Sequence, residues 1–501
     1  MSDPVAPGRR RDWFDHPLTA AERLVGWALI AAAHVGIVAL LGGPTEGDVA
    51  ESFYATVAIA HGQLACAYPP YVAMHVPVVA VPFTSTAPLY PLVAGVVAAL
   101  LHLGARVPFP SAAALGPGCA HGYPAIFAWS ENAAVIKHAL MLGYLGSLVF
   151  LVGLVVALGA TRAARTRREV VAGAVAATLL PILASLVQFF HPEDLLSLGL
   201  ALIALGLTPR RRWFAAGVLV GLAVLAQQSA LLVALPLLVV APRAGRARLV
   251  LGAALSGIVV TTPFLWSGGG RALHGIVVGS GYSSTYGGTW LWELTKHGPL
   301  YFALLRIAPL AVALAVAAYA RRRLGDRVRE PEVLLSLVGV ALAFRLVFEQ
   351  NIRPYYLADL AVVLVIVLAA GRRVRGPAVA WIAFVTISFD FLPASISFTL
   401  PPWAYHVAPY ANATMAGVGL AILAVWSVVR RKLEWYWALW AVLIVLGFVH
   451  LPGLQPLWEH PWPTWLRQLL VVSTGLYLVG GPLWGALGQA RTPAEPDLVA
   501  S

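Results

Sequence analysis

About a dozen apolar segments, separated by junctions that are alternately rich and poor in arginine, dominate this sequence. Leu24 to Leu41 is the first segment and Leu466 to Leu487 is the last. Segments of this length with almost no charge can cross a hydrocarbon core of about 30 Å as helices. A chain that is 59% hydrophobic cannot bury so much apolar surface in water. The sequence therefore predicts an all-α fold, a polytopic transmembrane helix bundle of about 12–14 spans.

The predicted hairpin 213–241 differs from the other spans because basic junctions flank both of its ends. Its chain must enter and leave on one side, so Gln227, Gln228 and Ser229 suit the tip between two short helices. The stretch 87–103 is only moderately apolar, and it could span the bilayer or lie in the interface. The other predicted spans are 24–42, 139–160, 170–188, 194–208, 249–266, 300–320, 332–348, 355–370, 378–394, 411–429, 436–451 and 466–487.

The arginine clusters predict the orientation of the chain. Short basic junctions beside apolar runs are typical of the cytoplasmic side, so both termini should be cytoplasmic in a multi-pass protein of the plasma (inner) membrane. Residues 43–86, 267–299 and 395–410 should lie outside. The net charge of +12 is divided among loops, so we expect contact with the lipid bilayer and no nucleic acid. The basic junctions are Arg9 to Arg11, Arg162 to Arg168, Arg210 to Arg212, Arg243 to Arg248, Arg321 to Arg329, Arg372 to Arg375 and Arg430 to Lys432.

Acidic residues open the first outer loop. Asp48 and Glu51 follow the first span and would share one face of a short helix. Asp48 could be an N-cap, which is a common use of aspartate. It could also be a carboxylate at the mouth of a membrane cavity, basic enough to take a proton from a hydroxyl. The two roles are compatible.

A second acidic pair lies in a very short outer turn, His191-Pro-Glu193-Asp194. Proline at the start of a helix, with acidic residues in the first turn, is explained by capping and by the helix dipole. The turn would also bring His191, Glu193 and Asp194 close to the carboxylates of the first loop. In that case the three residues would position an acceptor or a metal ion.

Basic and aromatic residues are combined at the outer end of the span 332–348. Arg345 lies about one turn inside the apolar run, where an unpaired charge is costly. Arg353 follows near the surface, with Tyr355 and Tyr356 beside it. Guanidinium groups match phosphate oxygens, so this set could bind a lipid phosphate. Snorkelling arginines and an aromatic belt are the alternative.

Other polar residues give weaker signals. His34 in the first span should be a packed, hydrogen-bonded histidine. Cys66 and Cys119, the only cysteines, lie in the first outer loop, where a disulfide is permitted, although buried thiols explain them as well. The sequence has neither a phosphate-binding glycine loop nor a zinc pattern. The second outer loop supplies five candidate substrate contacts: His274, Tyr282, Tyr286, Lys296 and His297.

The order of these parts resembles the GT-C superfamily, multispanning glycosyltransferases that take sugars from polyprenyl-phosphate carriers at the outer face of the membrane. The resemblance covers the chain to about residue 370. It depends on the order of the motifs along the chain, because each motif alone is short. The parts are one span, the acidic loop with Asp48, Tyr54-Ala-Thr-Val-Ala-Ile-Ala-His-Gly62, Tyr68-Pro-Pro-Tyr71, Pro88-Leu-Tyr-Pro91, His191-Pro-Glu-Asp194, Gly217-Val-Leu-Val-Gly221-Leu-Ala and Arg353-Pro-Tyr-Tyr356.

The resemblance implies that Asp48 matches the family's acidic residue with general-base or metal-related duty. It also implies that the tip after Gly221 faces the donor. Many relatives have a lysine there, whereas this chain has Gln227 and Gln228, which can hydrogen-bond a phosphate but cannot neutralise it. That departure shifts donor phosphate binding towards Arg345, Arg353 or a divalent cation, Mg or Mn.

These observations predict four parts of the chain. Residues 1–23 form a cytoplasmic N-terminal segment, and 24–370 form a GT-C-like catalytic module with its first outer loop at 43–137. Residues 371–487 add transmembrane helices, and 488–501 form a disordered cytoplasmic tail.

The expected activity is transfer of one sugar, a hexose or pentose, from a polyprenyl-phosphate donor to a lipid, glycan or protein hydroxyl in the cell envelope, with inversion. A transporter or flippase of lipid-linked sugars is the alternative, and so is an inactive GT-C-like partner. Against transport, the acidic loop has no counterpart in the second half of the chain.

Overall fold

The computed structural model describes residues 13–41, 49, 56–63, 88–111, 113, 128–187, 190–278, 299–348, 354–371 and 472–490. All regular structure in these ranges is helical, which confirms the predicted all-α class. The one β-type contact in them is an isolated bridge between Pro17 and Thr166.

Short connections join the helices between residues 133 and 278 and those between residues 299 and 348. Brief helical stretches also occur at 56–60, Leu103–Arg106 and 472–479, and 3-10 turns at Trp13–Asp15, Gln228–Ala230, Gly325–Arg329 and Pro354–Leu357. The longer helices are α1 (Ala20–Leu41), α2 (Leu89–Leu100), α3 (Ala133–Leu158), α4 (Arg167–Ala177), α5 (Leu180–Val187), α6 (Pro192–Leu207), α7 (Trp213–Ala226), α8 (Leu231–Val240), α9 (Arg243–Val278), α10 (Pro299–Leu324), α11 (Pro331–Phe348), α12 (Ala358–Ala370) and α13 (Gly481–Gln489).

Four helices in the described ranges are long and apolar enough to cross a membrane. They lie at Ala20–Leu40, Ala133–Leu158, Arg243–Ser267 and Pro331–Phe348. The helix α2, in the stretch 87–103, has 12 residues and is therefore about 18 Å long, too short to cross alone. The predicted spans 378–394, 411–429 and 436–451 lie outside the described residues.

Two predicted boundaries were wrong. The span 170–188 is two helices, α4 and α5, because the helix stops at Thr178. The helix predicted at 249–266 begins at Arg243 and continues to Val278, past a kink at Gly269 with φ of 50°. The first part of the predicted outer loop 267–299 is therefore helical.

Local sequence explains where several helices begin. Thr19 and Glu22 form a capping box for α1: the Thr19 hydroxyl accepts from the Glu22 amide at 3.2 Å, and the Glu22 carboxylate accepts from the Thr19 amide at 2.8 Å. The Asn132 side chain accepts from the amide of Ala134 at 2.9 Å and caps α3.

Glycine permits close contact between α3 and α6. A Cβ on Gly153 would lie 2.6 Å from the carbonyl oxygen of Gly199, and a Cβ on Gly146 would lie 2.8 Å from that of Pro192. Backbones this close are possible only without side chains between them. Residue numbers rise together along both helices, so α3 and α6 run parallel.

The predicted hairpin 213–241 is confirmed by its neighbours. Gly217 contacts the backbone of Leu249, and Gly221 contacts that of Ala253, so α7 runs parallel to α9. Both helices therefore start at one end of the molecule, and α8 must return to that end. The tip between them consists of Gln227 and the turn Gln228–Ala230.

A buried carboxylate organises the arginine-rich end of the molecule. Glu169, which is fully buried, accepts from Arg23 at 2.6 Å, from the indole of Trp27 at 3.1 Å and from the amide of Arg165 at 2.7 Å. A buried charge needs such partners to offset its desolvation. These contacts fix α1 against the start of α4.

His34 joins three helices, as the sequence predicted. Its Nδ1 lies 2.7 Å from the carbonyl oxygen of Ala177 in α4, and its Nε2 lies 2.9 Å from the hydroxyl of Ser147 in α3. A carbonyl can only accept, so Nδ1 carries the proton and Nε2 accepts from Ser147. The imidazole is fully buried and fully paired.

We expect Gly199→Ala to destabilise the protein. The new Cβ would lie 2.6 Å from the amide nitrogen of Phe150, and such overpacking typically costs about 1–3 kcal/mol. Gly257→Ala is the control, because no atom lies within 4 Å of its Cβ position. Thermal unfolding in detergent should show a lower midpoint for Gly199→Ala alone, and equal shifts in both variants would contradict the close contact.

Candidate functional site

A polar cluster lies at the end of the bundle opposite the arginine junctions. The start of α6, the hairpin tip, the end of α11 and the start of α12 meet there. Their contacts link charged and hydrogen-bonding side chains in an otherwise apolar bundle. We define the polar cluster as His191, Glu193, Asp194, Gln227, Arg345, Tyr356 and Asp359.

Glu193 is the most deeply buried member. Its side chain is 8% exposed, and Oε1 lies 2.9 Å from Nδ1 of His191. The other oxygen, Oε2, is buried and has no hydrogen-bond partner among the described residues. A buried carboxylate oxygen without a partner costs about 1–3 kcal/mol or more. This oxygen is therefore a vacant acceptor site at the start of α6.

The backbone before α6 places Glu193 in the interior. Pro192 is the first residue of the helix, where its missing amide proton costs nothing. Phe190 precedes it with φ of 38°, a left-handed conformation that is strained for a residue other than glycine. The Phe190 ring is buried with Leu142. Its burial holds the sharp turn in place.

Asp194 is bonded to the hairpin tip. The amide nitrogen of Gln227 donates to Oδ1 of Asp194 at 2.8 Å. The side-chain oxygen of Gln227 accepts from the backbone amide of Gln228 at 3.0 Å. Both ends of the Gln227 amide are thus engaged within the protein. This carboxylate–amide pair ties α6 to the end of α7.

Arg345 supplies the positive charge in the cluster. Its guanidinium lies over the ring of Tyr356, 5.3 Å from the centroid. The carboxylates of Asp194 and Asp359 both attract it. Since Asp194 and Asp359 share one guanidinium and Glu193 is a third carboxylate beside Asp194, the described part of the site favours ligands that donate hydrogen bonds over anions.

A small cavity lies beneath the cluster. Ser197, Ser229 and Asp359 contribute its polar lining, and the other lining residues are apolar. The centre of a water molecule can occupy about 10 Å³ of this cavity, which is room for one water molecule. The Ser197 hydroxyl donates to the carbonyl oxygen of Ala223 at 2.9 Å.

The structure brings together many of the residues singled out from the sequence: His191, Glu193, Asp194, Gln227, Arg345 and Tyr356. The side chain of Gln228 lies beside them, half-buried. Asp359 was missed, although a lone carboxylate within an apolar run is a signal of function. Outside the described residues or side chains lie Asp48, Glu51, Cys66, Cys119, His274, Tyr282, Tyr286, Lys296, His297, Arg353 and Tyr355.

Neither a metal-binding group among the described residues nor a similarity to known proteins assigns a role to this site. Among the described residues, no group of three or more His, Cys, Asp or Glu is placed to hold a metal ion. No family model matches the chain, and no curated protein matches it. The fold and the cluster together define a helical protein suited to a membrane, with a buried acidic site at one end.

We expect Arg345 and Asp359 to be energetically coupled. Arg345→Gln should lower the free energy of unfolding by about 1–3 kcal/mol, because Asp194 and Asp359 then repel each other unshielded. Adding Asp359→Asn should restore part of the loss, with a coupling energy of about 0.5–3 kcal/mol. Chemical denaturation in detergent measures both values.

Asp326→Asn is the control partner for Arg345→Gln. Asp326 is exposed and pairs with Arg329 at the other end of the bundle. Its effect should simply add to that of Arg345→Gln. If the changes in unfolding free energy of Arg345→Gln and Asp359→Asn were also additive, that result would contradict the charge network.

Proposed function

We propose that this chain is an integral membrane glycosyltransferase that moves one sugar from a polyprenyl-phosphate donor to an acceptor hydroxyl at the outer face. One observation carries the proposal: the carboxylate of Glu193 is buried, with one oxygen on His191 and the other without a hydrogen-bond partner among the described residues. Sugar hydroxyls donate strong hydrogen bonds to carboxylates, and a buried acceptor without a partner gains most from receiving one.

The proposed roles follow from the chemistry of the side chains. Asp48 removes the proton from the acceptor hydroxyl, whose oxygen then attacks the anomeric carbon. The bond from that carbon to the phosphate oxygen breaks as the new bond forms, so the configuration inverts. Glu193 and Asp194 hold sugar hydroxyls in place, since both carboxylates lie in the first turn of α6.

The departing phosphate needs a positive charge. Arg345 already interacts with two carboxylates, so it supplies only part of that charge. In this proposal Arg353 would supply the rest, and a Mg or Mn ion would add the same neutralising charge if Glu193 and Asp194 held one. Electrostatic stabilisation of this kind is often the largest catalytic contribution.

Membrane placement belongs to the same proposal. The arginine junctions and both termini face the cytoplasm across the plasma membrane, and the polar cluster faces outward. A lipid, glycan or protein of the cell envelope is the acceptor. The four long apolar helices are consistent with this placement.

A transporter of lipid-linked sugars is the second candidate. It is favoured by one specific observation: Asp194, Arg345 and Asp359 form a charge network between helices, as coupling sites of transporters do. Reconstituted vesicles distinguish the two candidates. Movement of a labelled lipid-linked sugar across the bilayer, without glycosylation of an acceptor, would favour the transporter.

Glu193→Gln should lower the rate of sugar transfer about 10- to 100-fold, the value of one charged hydrogen bond of about 1.5–3 kcal/mol. Glu131→Gln is the matched control, because Glu131 is an exposed carboxylate just before α3. Transfer from a polyprenyl-phosphate sugar by the purified protein is the measurement. If both variants transferred sugar at the same rate, the proposed role of Glu193 in binding the sugar would be wrong.

Asp48→Asn tests the reaction itself in the same assay. Loss of a general base typically costs about 10²- to 10⁴-fold in rate. If Asp48→Asn transfers sugar as fast as the parent, the proposed mechanism fails.

A further inference from the structure

The backbone of Gln227 is fixed at the end of α7. Its amide donates to the carbonyl oxygen of Ala223 at 2.9 Å, and its carbonyl oxygen accepts from the amide of Ala230 at 3.1 Å. Its φ of −153° and ψ of 127° are extended, so α7 stops at this residue. Because hydrogen bonds hold both backbone groups, the Gln227 side chain starts from one position at the hairpin tip.

The side-chain amide of Gln227 has a defined orientation. One of its two polar atoms lies 3.0 Å from the backbone amide of Gln228, which can only donate, so that atom is the oxygen. The nitrogen therefore faces α6, where it donates to Oδ1 of Asp194 at 2.8 Å. Turning the amide over would break both hydrogen bonds, because it would place oxygen against a carboxylate and nitrogen against another donor.

Asp194 keeps one carboxylate oxygen for a ligand. Gln227 holds Oδ1, whereas Oδ2 has no hydrogen-bond partner in the described part of the chain, and the residue is partly exposed. Glu193 shows the same division, since Oε1 lies on His191 and Oε2 has no partner among the described residues. In both carboxylates, a neighbouring side chain holds one oxygen and so fixes the direction of the other.

Packing of α6 on α7 does not require the bond between Gln227 and Asp194. The Ser197 hydroxyl, about one turn further along α6, donates to the carbonyl oxygen of Ala223 in α7 at 2.9 Å. Apolar side chains of both helices are buried in one core. These contacts hold the two helices together without the Gln227 side chain, so its bond to Asp194 is available for another task.

We propose that Gln227 is a positioning residue, which orients Asp194 so that Oδ2 accepts a hydrogen bond from a sugar hydroxyl. The inference rests on the proposed glycosyl transfer, in which Asp194 holds the sugar. An uncharged donor suits this task, because it fixes one oxygen and leaves the carboxylate its charge. A cation in the same place would neutralise that charge and weaken the carboxylate as an acceptor.

A double-mutant cycle on sugar transfer by the full-length protein tests this role. Gln227→Met keeps the length of the side chain and removes both of its hydrogen bonds, and Asp194→Asn removes the charge of the carboxylate. Gln227→Met should lower kcat/KM about ten-fold, the usual effect when a binding side chain loses the partner that orients it. In the Asp194→Asn background it should change kcat/KM by less than about two-fold, since Gln227 acts through Asp194.

Two further variants separate positioning from other roles. Gln489→Met is the matched control, because Gln489 also bonds a charged side chain, accepting from Arg327 at 3.1 Å, but at the arginine-rich end of the molecule. It should leave kcat/KM unchanged. Gln227→Lys places a cation at the hairpin tip. It should lower kcat/KM about ten-fold without lowering KM for the donor, because the new ammonium group neutralises Asp194.

Two results would overturn the inference. An unchanged kcat/KM in Gln227→Met, or an equal loss in both backgrounds, would mean that Gln227 does not act through Asp194. A lower KM for the donor in Gln227→Lys would make position 227 a ligand of the donor phosphate. If Gln227→Met fails to fold, the KM of Gln227→Lys decides the matter. Absence of transfer by the parent protein would instead overturn the proposed glycosyl transfer, and this inference with it.

Discussion

The close backbone contact between α3 and α6 is the constraint on which the rest of the structure depends. In an apolar bundle, hydrophobic burial does little to select among helix pairs, so packing and hydrogen bonds decide how they meet. Gly153 and Gly199 allow the two backbones to touch, and the contact with Gly146 reaches the carbonyl of Pro192. These contacts fix how closely α6 packs against α3, and they fix the position of the first turn of α6 in the same way.

The polar cluster is a consequence of that packing. Because α6 lies against α3, Glu193 is buried, and the next residue, Asp194, reaches the hairpin tip at Gln227. Two unfavourable local features accompany this arrangement: Phe190 has a strained backbone, and one oxygen of Glu193 has no hydrogen-bond partner in the described part of the chain. Unfavourable local features that packing holds in place are typical of binding sites. The opposite end of the bundle shows the reverse pattern, since the buried carboxylate of Glu169 is fully paired.

Much of this arrangement could be predicted from the sequence, because charge placement and hydropathy reflect the two solvents that the chain meets. The hairpin tip at Gln227 followed from basic junctions on both flanks, and the acidic turn at Glu193 followed from its position between two spans. The break at Thr178 was overlooked because the apolar composition continues through it, although Pro181, in the first turn of α5, is a sequence signal for the end of the preceding helix. Asp359 was overlooked because hydropathy averages over a run and hides a single carboxylate. The vacant oxygen of Glu193 depends on neighbours distant in sequence, and only the three-dimensional packing reveals it.

A density map of the protein with a polyprenyl-phosphate sugar bound would show whether Oε2 of Glu193 accepts a hydrogen bond from a sugar hydroxyl. We expect a sugar hydroxyl at about 2.5–2.7 Å from Oε2 of Glu193, the usual range for a hydroxyl on a carboxylate. We also expect the hydrogen bond between Gln227 and Asp194 to remain. A sugar bound away from α6, with Oε2 paired to another part of the chain, would contradict this expectation.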